Sequence, residues 1–99
     1  MSSNYGQQNN LSPDKINIHF ITMKGNKHIR VFNKNDKIKD ALESFLASVG
    51  VNKNALTQIK FLYNAINLNN LDKDITLNDF NIKDLSSINV IDRNNIIGA

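Results

Sequence analysis

From residue 16 the chain alternates, with Ile16, Ile18 and Phe20 on one face and Asn17, His19 and Ile21 on the other, as a half-buried strand requires. Met23-Lys24-Gly25-Asn26 supplies a turn in which Gly and Asn can take positive φ. The alternation resumes over residues 28–32 with Ile29 and Val31 on one side, so the pattern predicts a β-hairpin. Asn33-Lys34-Asn35-Asp36 ends that strand, and Asp36 is placed to cap a helix N-terminus with its carboxylate. Ile38, Leu42, Phe45, Leu46 and Val49 then form one helical stripe, while Lys39, Asp40, Glu43, Ser44 and Ser48 lie away from it. Gly50 follows the last apolar position, where a left-handed residue is needed, and Val51 can pack back on the helix end.

A third strand is predicted over residues 58–64, with Ile59, Phe61 and Tyr63 opposed to Lys60, Leu62 and Asn64. The stretch 65–74 reads as a turn, a short edge strand at 66–68 and a loop. Residues 76–80 read as a single helical turn capped by the Thr76 hydroxyl, and 87–92 as a last strand with Ile88 and Val90 alternating against Asn89 and Ile91. The order β, β, α, β, short β, turn, β predicts an α+β domain, one amphipathic helix laid on a mixed four- to five-stranded sheet.

Length and composition fix the scale. At 99 residues, 40% of them hydrophobic and 21% charged, the chain has room for one modest core and not for two domains. Residues 1–14 hold the Ser/Gln/Asn clustering and the only proline, and are expected to be a flexible extension before a domain at 15–93 and a tail at 94–99. The 18 asparagines and the ten-to-two excess of lysine over arginine are scattered, which fits a coding bias better than an aggregation-prone tract. With no cysteine there is neither a disulfide framework nor a thiolate metal site.

The charge of +3 is too mild to point to nucleic acid, although Lys24, Lys27, Arg30, Lys34, Lys37 and Lys39 crowd it onto the hairpin and helix start. No apolar run approaches the roughly 18 residues of a membrane span, so a cytoplasmic or nuclear setting is expected. No Ser-His-Asp set, Gly-rich phosphate loop or paired carboxylates occur, and no enzyme or cofactor is expected. His19 and His28 have no carboxylate at ligand spacing and read as titrating surface histidines, with no metal.

The run Thr76-Leu77-Asn78-Asp79-Phe80-Asn81-Ile82 is similar to TLSDYNI of ubiquitin, identical at five of seven positions. Gly25 at the first turn, Ile38 and Gly50-Val51 at the helix ends, Phe61-Leu62-Tyr63 at the family's LIF and Ile88-Asn89-Val90-Ile91 at its LHLV fall in register with it. Residues 16–93 therefore resemble the ubiquitin and SUMO superfamily, which implies a β-grasp fold. The second strand is awkward, because gapless alignment turns His28 and Arg30 inward where the alternation favours Ile29 and Val31. A one-residue bulge or a longer turn is expected to settle it.

The resemblance implies a protein that works by being bound, through an apolar patch on the outer face of the sheet, as a monomer. Its patch positions fall on Met23, Leu62 and Ile91, all apolar here. The alternation independently puts Leu62 and Ile91 on the polar side of their strands, with Ile21 beside them and Lys60 and Arg93 as a basic rim. Asn89 stands where the family has a histidine, and Ala65 where it has a turn glycine. The partners implied are ubiquitin-receptor-type domains. The family's chain-forming lysines fall on Ile21, Asn26, Leu42, Ser44, Ser48, Ile66 and Asp84, so polymers through those linkages are not expected.

Conjugated members end on a glycine that activating and conjugating enzymes take up as a thioester. Here the candidate is Gly98, preceded by Ile97 and without a diglycine. Two readings stay open: a modifier attached through Gly98 after processing, or a non-conjugated module or precursor-derived fragment. The second would bind an extended acidic-hydrophobic peptide by strand addition in the groove between second strand and helix, as SUMO-like proteins do.

Overall fold

The computed structural model describes residues 14–98, so the expected extension at 1–14 lies outside the described residues except for Asp14. Strands β1 (Lys15–Thr22) and β2 (Lys27–Asn33) precede helix α1 (Ile38–Ser48), followed by β3 (Lys60–Tyr63), β4 (Ile66–Asn67) and β5 (Ser86–Ile91). Short 3-10 turns occupy Lys53–Thr57 and Leu68–Asn70. The five strands form one sheet in the order β2-β1-β5-β3-β4, in which β1 and β5 run parallel and the other pairs antiparallel.

The core lies between α1 and one face of this sheet. Ile38, Ala41, Leu42, Phe45 and Leu46 are the buried stripe of the helix, and they meet Ile16, Ile18, Phe20, Phe61, Ile88 and Val90 from the strands. Phe20 stacks on Phe45 with ring centroids 4.2 Å apart, and Phe61 stands edge-on to both. Leu77 and Ile82 of the resembling run close the core from the loop side.

Local signals explain most element ends. Gly25 at φ 88 closes the first hairpin, with its amide donating to the Thr22 carbonyl and the Thr22 amide to Asn26. Gly50 at φ 77 stops α1 in a Schellman motif, the Val51 amide donating to Leu46 and the Gly50 amide to Ala47. Thr76 caps its turn as expected and does so reciprocally: Thr76 Oγ1 accepts the Asp79 amide while Asp79 Oδ2 accepts the Thr76 amide.

Two expectations are corrected. Asp36 is not the helix cap. Its carboxylate accepts the Asn33 amide and closes the turn after β2, and α1 starts behind Lys37 with no side-chain cap. The Ile38 amide donates instead to the Ile75 carbonyl, so a neighbouring segment takes the place of a cap. In β2 the expected inward pair is reversed. An unbroken register sets Ile16 opposite Phe32, Ile18 opposite Arg30 and Phe20 opposite His28, so those β2 residues face the helix. Ile29 and Val31 face outward, 51% and 50% exposed. The turn fixes this register, and Phe32, buried opposite Ile16, has the parity that rewards it.

Candidate functional site

The register builds the outer face row by row. One row across the sheet reads Lys27, Ile21, Asn89, Leu62, Asn67, each beside the next on adjoining strands. In the next row Ile91 lies beside Lys60. Met23 follows Thr22, whose neighbour is Val90, and so comes level with Ile91. Ile21, Leu62 and Ile91 are half-buried and Met23 is 57% exposed. The strands thus bring four apolar side chains to one end of the outer face, with the exposed Asn89 set between Ile21 and Leu62.

Cationic side chains flank this cluster on both sides, Lys27 beside Ile21 and Lys60 beside Ile91. Lys60 and Arg93 are exposed, and neither joins an ion pair among the described residues. A cleft of about 370 Å³ next to Met23 is lined by Thr22, Lys24, Asp92, Arg93 and Asn95. Ala65 sits at the edge of the face in the β3–β4 turn, where Asn64 at φ 51 and Ala65 at φ 67 both occupy the left-handed region.

The groove between β2 and α1 is covered. The Arg30 guanidinium lies 5.9 Å from the centroid of the Phe45 ring, donating from Nε to Ser48 Oγ and from Nη1 to the Ile29 carbonyl, both at 2.9 Å. His28 is not a surface histidine: its ring stands edge-on to Phe45 at 5.7 Å and its Nε2 is buried without a hydrogen-bond partner. His19 lies on the outer face between Ile29 and Ser87. Among the described residues no three of His, Asp or Glu gather as a metal site, and no helix is long and apolar enough to cross a membrane.

Two Asn and Asp side chains make polar ties that the composition hides. Asn69 Oδ1 accepts the Phe61 amide while its Nδ2 donates to the Leu56 and Ile59 carbonyls, tying β3 to the preceding 3-10 turn. Asp84 Oδ1 accepts both the amide and the side-chain Nδ2 of Asn17, anchoring β1 to the loop before β5. The only signal in the sequence is an Asn or Asp within a turn, which the general excess of asparagine obscures.

No protein-family profile and no curated protein matches the chain. Among solved structures it is similar to a de novo designed protein based on ubiquitin, at 21% identity and a TM-score of 0.62, over 83% of this chain and 93% of that one. The fold is the ubiquitin-like β-grasp. At that identity the likeness extends to the fold alone.

Proposed function

We propose that this chain is a non-catalytic protein-interaction module of the cytoplasm or nucleus, acting as a monomer and docking its partner on Ile21, Met23, Leu62 and Ile91. The observation that carries this reading is the register, which gathers four apolar side chains from three strands and a turn around Asn89 at one end of the outer face, while the opposite sheet face packs on the helix. Asn89 and Ala65 shape the surface of that patch, and Lys60 and Arg93 form its cationic rim, favouring partners with carboxylates flanking an apolar contact. The partner class expected is the ubiquitin-receptor type of domain.

Docking in the β2–α1 groove would have to displace Arg30 from Ser48 and from Phe45, which disfavours the competing reading. Covalent attachment through Gly98 by activating and conjugating enzymes is a second, compatible role, supported by the exposure of Gly98 after β5.

Chemical-shift mapping with a ubiquitin-receptor domain tests the proposal. Shifts are expected at Leu62, Asn89 and Ile91, and Leu62→Ala or Ile91→Ala is expected to weaken binding about tenfold or more without unfolding the domain. Shifts confined to β2 and α1 would overturn it.

A further inference from the structure

Residues 92–98, which follow β5, are folded back where a free tail is expected over 94–99; Ala99 lies outside the described residues. Asp92 Oδ1 accepts the Ile96 amide and Asp92 Oδ2 the Ile97 amide, both at 2.8 Å. The Asn95 amide donates to the Asp92 carbonyl, and Asn95 takes φ 53. Asn94 Nδ2 donates to Gln58 Oε1, in the link between the 3-10 turn and β3. Ile96 and Ile97 are half-buried and pack against the core cluster.

Successive amides of an extended chain point in opposite directions. Two consecutive amides can therefore meet the two oxygens of one carboxylate only where the chain bends around it, so the bent segment and an extended tail exclude one another. Hydrogen bonds to an ionised acceptor are the stronger kind, and here both oxygens of a single side chain are used. Straightening the segment breaks both bonds and returns two isoleucines to water.

We propose that Asp92 is a latch that holds Ile96 and Ile97 as a strap against the body of the domain, and that this strap must open before Gly98, exposed but carried on a bent segment, can be presented on an extended tail. The consequence for Gly98 rests on its reading as an attachment point, whereas the latch itself does not. Asp92 itself, with Arg93 and Asn95 of the segment leading into the strap, lines the cleft beside Met23, so a partner seated at that end of the outer face meets the latch directly.

Amide hydrogen exchange on the full chain and on Asp92→Ala and Asp92→Asn decides it. In the unaltered protein the Ile96 and Ile97 amides are expected to exchange at least about tenfold more slowly than in an unstructured chain, and Asp92→Ala to abolish that protection. Asp92→Asn keeps one acceptor oxygen and is expected to retain part of it. The amides of β1 and β5 report in the same spectra that the domain remains folded. Limited trypsin digestion gives a second reading, with cleavage after Arg93 faster in Asp92→Ala. Unprotected Ile96 and Ile97 amides in the unaltered chain, or protection unchanged in Asp92→Ala, would overturn the latch. A strap that opens in Asp92→Ala while Gly98 is never attached to another protein would remove the attachment role and leave the latch standing.

Discussion

The sheet contains two hairpins held together by different means. β1 and β2 face each other over seven pairs, from Lys15 with Asn33 to Ile21 with Lys27, and their inner side chains feed the aromatic core under α1. β3 and β4 share only two pairs, Leu62 with Asn67 and Tyr63 with Ile66, and their turn carries two non-glycine residues at positive φ. Length and burial set the register of the first hairpin. The second is short and none of its four paired residues is buried, although Phe61 of β3 is, and three hydrogen bonds of Asn69 brace β3 from outside the strand. Since β3 carries Leu62, the proposed docking surface draws one wall from each kind of hairpin.

Removing the brace is the largest test of this contrast. Asn69→Ala leaves the Phe61 amide and the Leu56 and Ile59 carbonyls without their partner in a part-buried site. A loss of about 2–3 kcal/mol is expected from urea unfolding, since an unsatisfied group costs about 1–3 kcal/mol and water can reach part of this one. A loss below about 0.5 kcal/mol, the ordinary range for a surface substitution, would mean that the short hairpin stands without the brace.

Elements with an apolar period were legible in the sequence: β1, α1 with its Gly50 stop, the capped turn at Thr76 and β5 each follow from spacing alone. The reading failed where a contact with a distant residue decided the outcome. Ile29 and Val31 alternate as well as Ile16 and Ile18 do, yet the turn at Gly25 and the burial of Phe32 face them outward. Asp36 has the right residue type for a cap, but the Ile75 carbonyl takes the helix-start amide and Asp36 serves the turn. For the candidate site, alternation sufficed to place Ile21, Leu62 and Ile91 on one face. It could not show that Asp92 gathers the following amides, because that depends on a bend no periodicity encodes.

The turn of the short hairpin offers a gain. Ala65 at φ 67 pays the left-handed penalty of a Cβ, about 1–2 kcal/mol, while glycine adds back about 0.5–1 kcal/mol of unfolded-chain entropy. Ala65→Gly is therefore expected to stabilise the protein by about 0.5 kcal/mol, read as a higher urea midpoint with an unchanged slope. Asn-Gly is also the preferred pair for a two-residue turn with positive φ at both positions. A lower midpoint would show that the alanine methyl has a packing role at the edge of the outer face.

The smallest expected effect is the most discriminating for the long hairpin. Ile29→Thr and Val31→Thr keep the branched Cβ that suits a strand and exchange a methyl or ethyl group for a hydroxyl on side chains about half exposed to water. In the observed register each should change stability by no more than about 0.5 kcal/mol, as for ordinary surface sites. Were the strand shifted by one residue, as its alternation alone invites, both hydroxyls would enter the aromatic core beside Phe45 without partners. Burying each would then cost about 1–3 kcal/mol. Two urea curves thus separate the registers, and the same variants with Leu62→Ala as a binding control show whether the outer strip on β2 contributes to the patch across Ile21. Binding by both threonine variants at the level of the unaltered chain confines the patch to Ile21, Met23, Leu62 and Ile91, so that β2 supports the docking surface through its register alone.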